Sequence, residues 1–262
     1  MVSGAKKVCA VIFDWAGTTV DFGSLAPVRT LQRVFEEAGI PITEEEARRD
    51  MGIAKRDHIA ALLKLPRLQN SRAIHVDALY EWFIPLQMAC LKQYSAVIPG
   101  VPEIVAHLRK AGIKIGSTTG YTRAMLDVLV DEAAKQGYTP DCSFSPEDAG
   151  AGRPHPFMIY AAAIKLQVYP LSAMVKVGDT ASDIKEGLNA GTWSVGVAGT
   201  GNGIGLPSNE FQSLEPEQRS ERLRKSRMEL QAAGAHYVID TLAELPRVID
   251  DVEARLNGAG GA

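Results

Sequence analysis

Six apolar residues in a row, Val8-Cys9-Ala10-Val11-Ile12-Phe13, run straight into an acid, Asp14, and the small residues Ala16 and Gly17 then turn the chain. A partly β-branched apolar run of this length, ended by a turn signal, predicts a buried strand. In a parallel α/β sheet the acid at its end stands on the carboxyl edge, where such folds bind ligands. A carboxylate there ligates Mg2+, attacks phosphorus or caps the next element, and spacing alone does not separate these roles. A second acidic cluster far along the chain, Gly178-Asp179-Thr180-Ala181-Ser182-Asp183, turns the balance toward chemistry.

The 262 residues suffice for one large α/β domain or for a core with a smaller inserted one. A net charge of −3 gives no reason to expect nucleic acid or an anionic membrane as partner. Cys9, Cys90 and Cys142 are odd in number and scattered, which points to a reducing, cytoplasmic compartment rather than a disulfide framework. No apolar stretch approaches the ~18 residues that span a membrane. Lys6 and Lys7 precede an apolar run too short for a signal peptide, and Gly258 to Ala262 reads as a loose tail.

Downstream of Val20 the pattern is helical. Leu31, Val34 and Phe35 mark one face of a helix over 26–38, Thr43-Glu44-Glu45-Glu46 reads as a capping box, and further helices follow near Ile53 and over 76–94. Nothing from Ala26 to Ser95 alternates as a strand does, so 23–98 is expected to be an all-helical cap inserted into a core made of 1–22 and 99–262. From Pro99-Gly100 onward strands (113–119, 141–144, 174–177, 193–197, 236–239) alternate with helices (102–110, 122–136, 157–166, 182–189, 215–233, 241–256). That rhythm predicts a doubly wound parallel sheet of the Rossmann-like class. Gly199-Thr-Gly-Asn-Gly-Ile-Gly205 lacks the spacing of a nucleotide loop and is expected to be a flexible surface loop.

The carboxyl ends of parallel strands share one edge, so Asp14, Thr119, Arg153, Asp179 and Asp183 are expected to converge despite their separation in sequence. Three carboxylates around one point repel unless a cation compensates them, and oxygen-only ligands with room for water suit Mg2+. Thr119 offers a hydroxyl, Gly120 a backbone N–H and Arg153 charge-assisted donors to a phosphoryl group.

The ordered set Asp14-x-x-Gly17-Thr18, Ser117-Thr118-Thr119-Gly120, Arg153-Pro154 and Gly178-Asp179-Thr180-x-x-Asp183 resembles the haloacid dehalogenase superfamily. The resemblance implies that Asp14 is a nucleophile that becomes an aspartyl phosphate, that Thr119 and Arg153 bind phosphoryl oxygens, and that Asp14, Asp179, Asp183 and the Ala16 carbonyl surround Mg2+. Ala16 is the departure. Phosphatases and mutases of the superfamily carry a second Asp there, and an alanine cannot move a proton.

The compensating group is sought in the insertion, at Met51-Gly52-Ile53-Ala54-Lys55-Arg56-Asp57-His58, where His58 lies three positions from Lys55 and so on the same helical face. A lysine at a charged helix start is ordinarily solvated, and Met51 and His58 are ordinarily packing residues. Together with Asp14-Trp-Ala-Gly-Thr-Thr19, however, the segment looks like the phosphonatase subfamily, whose members cleave phosphonoacetaldehyde. That likeness implies a Schiff base on Lys55, a pocket shared by Met51 and His58, and a homodimer. Expelling a carbanion from phosphorus is prohibitive, whereas an iminium on the adjacent carbon turns the leaving group into an enamine. The alternatives are a phosphatase with relocated acid–base chemistry and an inactive scaffold that binds a phosphorylated ligand.

Overall fold

The computed structural model describes residues 7–68 and 74–258. β1 (Ala10–Phe13) is followed by α1 (Leu25–Glu37), α2 (Glu44–Arg49), α3 (Lys55–Leu63) and α4 (Val76–Cys90), which runs on into a 3-10 turn at Leu91–Tyr94. Alternation then begins with α5 (Val101–Lys110), β2 (Lys114–Thr118), α6 (Arg123–Ala134), β3 (Cys142–Phe144), α7 (Pro146–Ala149) and α8 (Phe157–Leu166). It continues through β4 (Met174–Gly178), α9 (Ala181–Ala190), β5 (Trp193–Val197), α10 (Ser208–Ser213), α11 (Pro216–Ala232), β6 (Tyr237–Ile239) and α12 (Leu245–Gly258).

All six strands pair in parallel, in the order β3-β2-β1-β4-β5-β6. The order reverses direction between β1 and β4, and this switch point opens a crevice at the carboxyl ends of the two strands. Asp14 sits there. Its N–H donates to the Val177 carbonyl (2.9 Å), one step beyond the registered pair Phe13–Val177, so the nucleophile candidate is fixed by the sheet itself.

Helix formation follows the residues. In α1 the expected face of Leu31, Val34 and Phe35 is wholly buried. The capping box opening α2 is present, with the Glu46 N–H on Thr43 Oγ1 (3.1 Å) and the Thr43 N–H on Glu46 Oε2 (2.8 Å). The two chain crossings between sheet and cap lie side by side. Asp21 N–H donates to the Ala96 carbonyl (3.2 Å), and Ile98 N–H to the Thr19 carbonyl (2.9 Å). Just beyond, Asp21 (φ 53°) and Ser24 (φ 51°) hold left-handed backbone, which costs a non-glycine residue about 1 kcal/mol each.

Between β3 and α8 the chain forms the short helix α7, capped by Ser145 and Asp148. One correction concerns Gly199–Gly205. Gly199, Thr200, Gly201, Ile204 and Gly205 are buried rather than exposed. Thr200 Oγ1 donates to the Gly17 carbonyl (2.7 Å), and the Asn202 N–H donates to Asp179 Oδ2 (2.7 Å). Glycine content was read as solvent exposure, whereas here absent side chains let backbone press against the site. The presumed tail lies outside the described residues except for Gly258, which ends α12. No described helix is long and apolar enough to cross a membrane.

One apolar cluster runs without a break from Val11, Phe13 and Trp15 through Val28, Phe35 and Phe83, so cap helices and sheet share a core. Phe83 is fully buried. Phe83→Ala is expected to lower stability by about 3–5 kcal/mol in a urea titration followed by circular dichroism; a loss under about 1 kcal/mol would show that the cap interior collapses around the gap.

Candidate active site

Asp14, Thr119, Gly120, Arg153, Met51 and Lys55 line one cavity of about 20 Å3 at the switch point, together with Ala16, Ser24 and Tyr121. Its walls come from both the sheet edge and the insertion. Gly120 shows how closely the two meet: a Cβ there would stand 2.5 Å from the Ile53 carbonyl oxygen and 2.7 Å from that of Gly52. Only a glycine lets the cap loop rest on the end of β2.

Carboxylate oxygens of Asp14, Asp179 and Asp183 lie within 4.8 Å of one another, and all three residues are buried. Asp179 accepts from Thr18 Oγ1 (3.1 Å) and from the Asn202 N–H (2.7 Å). Asp183 is divided between two tasks. Its Oδ2 caps α9 through Thr180 Oγ1 (2.5 Å), while Oδ1 meets Arg153 Nη1 (3.0 Å) and Lys176 Nζ (2.8 Å).

Arg153 is the hub of this network. Nη2 reaches Asp14 Oδ1 (2.7 Å), the Thr118 carbonyl (2.8 Å) and Thr118 Oγ1 (2.9 Å); Nε reaches Glu186 Oε2 (2.8 Å). Nη1 also donates to the Gly52 carbonyl (3.3 Å), so the phosphoryl-binding candidate touches the cap loop. Behind it, Lys176 and Glu186 are fully buried and joined through Thr118, whose hydroxyl donates to Glu186 Oε2 (3.0 Å) and accepts from Lys176 Nζ (3.1 Å).

With Lys55 neutral, four carboxylates face the two cations Arg153 and Lys176, an excess of two negative charges that one divalent cation balances. The electrostatics agree. Burial and the Asp183 charge push Asp14 up, and burial with the Asp14 and Asp183 charges pushes Asp179 well up. Burial acts the same way on Asp183, but Arg153 and Lys176 outweigh it and hold that carboxyl down. The oxygen-only donor set and its charge excess fit a hard divalent metal.

Lys55 opens α3 and is buried, with Nζ 3.8 Å from Met51 Sδ and 5.3 Å from the centre of the Tyr121 ring. Burial lowers its pKa from 10.5 to about 8; the Asp14 charge resists the fall and the Arg153 charge assists it. His58 shares the helical face but does not line the cavity. It is buried, neither ring nitrogen makes a hydrogen bond of ordinary geometry, and burial with the nearby Lys55 charge lowers its pKa to about 3. It is therefore neutral at pH 7.

Trp15 faces away from the cavity into the core, donating from Nε1 to Ser117 Oγ (2.9 Å) and meeting Tyr138 edge-on at 5.3 Å. His155 is an exposed loop residue stacked on Phe157. The sequence reading gave no role to Thr118, Lys176 or Glu186. Lys176 did carry a signal, a charge inside the apolar run Met174–Val177; Glu186 carried only its place one helical turn after Asp183.

A model of haloacid dehalogenase-like hydrolases matches residues 8–191. Phosphonoacetaldehyde hydrolase of Bacillus cytotoxicus is 47% identical over 94% of this chain and 97% of its own length, and that of Bacillus cereus is 45% identical over the same shares. Among solved structures, a phosphonoacetaldehyde hydrolase-like protein from Oleispira antarctica superposes with a TM-score of 0.93 at 39% identity, covering 100% of this chain and 99% of that one. β-Phosphoglucomutase from Clostridium difficile shares the fold alone, with a TM-score of 0.68 at 18% identity over 95% of this chain and 98% of its own.

Lys176→Met strips Asp183 and Glu186 of a buried counter-ion, and stability is expected to fall by about 3–5 kcal/mol in urea. An unchanged unfolding midpoint would show that Arg153 alone compensates both acids.

Proposed function

The chain belongs to the haloacid dehalogenase-like hydrolases, in the branch of the phosphonoacetaldehyde hydrolases, and from that premise we propose that it hydrolyses the C–P bond of phosphonoacetaldehyde, through an imine on Lys55 and an aspartyl phosphate on Asp14. The observation that carries the reading is a buried lysine with a pKa of about 8 lining the same small cavity as Asp14, beside an alanine where an acid–base group would otherwise stand.

The amine of Lys55 attacks the aldehyde carbon and, with loss of water, forms an iminium. About a tenth of the amine is neutral at pH 7 when its pKa is about 8. Arg153, Thr119 and the Gly120 N–H hold the phosphoryl oxygens while an Asp14 oxygen attacks phosphorus. The C–P electron pair moves into the iminium, giving an enamine and an aspartyl phosphate. Protonation at carbon and addition of water release acetaldehyde and free Lys55; water at the acyl phosphate releases phosphate and restores Asp14. Ala16 is consistent with this route, because an enamine needs no proton on an oxygen leaving group.

Mg2+ would be held by Asp14, Asp179 and the Ala16 carbonyl, with Asp183 acting directly or through water, and would offset charge on the phosphoryl group. Tyr121 packs its ring against the Lys55 ammonium, and Met51 gives the amine an apolar wall. Both exclude water from the amine, and that burial, which outweighs the ring's attraction for the ammonium, is the cause of its low pKa.

Borohydride added during turnover of phosphonoacetaldehyde is expected to leave a reduced two-carbon adduct on Lys55, found by peptide mass spectrometry and absent in Lys55→Ala. Phosphate release without any adduct would favour the relocated phosphatase reading. Lys55→Ala should lower turnover by about a thousandfold or more. Because burial lowers the amine pKa, kcat/KM should climb with pH and level near 8 rather than near 10.5. A plateau near 10.5 would show a hydrated amine. Chelation with EDTA should abolish phosphate release and added Mg2+ restore it; full activity in the chelator would remove the metal from the reading.

A further inference from the structure

The cavity holding Lys55 and Asp14 has room for about one water molecule. Any substrate with a phosphorus atom and a two-carbon chain is larger, so the cap must lift to admit it and return for the amine to be buried again. Something must hold the returned position, and besides the Arg153 bond to the Gly52 carbonyl a second group of contacts crosses from cap to core near the cavity.

Arg48 stands at the end of α2, with its side chain only 13% exposed. An i,i+4 pair with Glu44 (2.7 Å) directs it out of the helix. Its guanidinium then reaches across the cap–core boundary. Nη1 donates to the Gly23 carbonyl (3.0 Å), to Asn202 Oδ1 (3.1 Å) and, at longer range, to the Ser24 and Asn202 carbonyls; Nη2 donates to the Gly205 carbonyl (3.2 Å). Asn202 answers, donating from Nδ2 to the Arg48 carbonyl (3.2 Å). One cap side chain thus spans the hinge residues and the loop 199–205.

The loop is not a passive acceptor. A Cβ on Gly201 would lie 2.1 Å from Cβ of Asp179, so its backbone rests directly on that acid. The Asn202 N–H bonds Asp179 Oδ2, and the Thr200 carbonyl accepts from the Gly23 N–H (2.7 Å). Asn202 therefore holds the acid cluster with its backbone and the cap with its side chain.

We propose that Arg48 and Asn202 form a clasp that holds the cap shut over the cavity, and that Arg48 is a positioning residue acting on Lys55 through cap closure. The clasp breaks to admit substrate and re-forms around it. Its acceptors on the loop are neutral amide oxygens, which water satisfies when the clasp opens. The forked donors suit this task, since they engage carbonyls on two segments at once. The link from closure to rate rests on the function proposed above; the link from the clasp to closure does not.

The test compares wild type, Arg48→Ala, Asn202→Ala and the double variant without substrate, by hydrogen–deuterium exchange. Peptides covering 50–63 should exchange about tenfold faster in each single variant, while α6 and β4 keep their protection. The double variant should fall short of the product of the two single effects, because the Arg48 Nη1–Asn202 Oδ1 bond is common to both. With phosphonoacetaldehyde, kcat/KM should fall about tenfold, mostly through a higher KM, whereas a loss of folded protein would lower kcat at constant KM. Unchanged exchange over 50–63, faster exchange spread equally over α6 and β4, or additive effects in the double variant would each overturn the clasp. Absence of turnover in the wild type would instead overturn the proposed function and leave the exchange comparison to decide the clasp.

Discussion

Acids brought to the end of one sheet stay together only if opposite charge is built in beside them. Arg153 is that charge. It joins Asp14, Asp183 and Glu186, and it reaches the Gly52 carbonyl of the cap loop as well. Lys176 supports the same acids from inside β4, a position where a charge is tolerated only because both partners are within 3.4 Å. The remaining negative excess suits the cluster to a divalent cation rather than to a self-contained salt bridge.

The second organising constraint is dryness. Lys55 is enclosed by Met51, the Tyr121 ring and its own helix, and that burial disfavours its ammonium form. The sheet edge alone does not provide such a site, since it is open on the solvent side. The helical insertion therefore supplies both Lys55 and its enclosure, while the sheet edge supplies Asp14, Thr119 and Arg153. The cavity is lined from both halves, and the paired crossings at Asp21–Ala96 and Thr19–Ile98 are where the chain passes between them.

Much of this was legible before any coordinates. The apolar run into Asp14 located the central strand, the later alternation gave the parallel sheet, and the strand-end rule brought Asp14, Thr119, Arg153 and the 179–183 acids to one edge. The capping box at Thr43 and the buried face of α1 follow from local spacing. The loop at 199–205 was misread because glycine and polar residues look alike whether they face solvent or pack backbone against a buried acid. Lys176 and Glu186 carry little local signal for a related reason: their meaning lies in partners 7 to 68 residues away, not in their neighbours. Arg48 carries no signal of its own in the sequence, and only the packing of the cap places it against Gly23, Asn202 and Gly205.

Local patterns of apolarity, capping and turn residues are fixed by interactions within a few positions of the chain, and these determined the strands, the helices, the inserted cap and the residue types able to do phosphoryl and amine chemistry. Distances across the cap–core boundary are set by how two packed bodies meet, which no short-range pattern encodes. Tertiary structure alone decided that Lys55 is buried against Tyr121, that Asp183 divides its oxygens between a helix cap and two cations, and that a glycine loop joins the cap to Asp179. Burial and proximity, the two terms that shift a pKa or aim a donor, exist only once the chain has closed on itself.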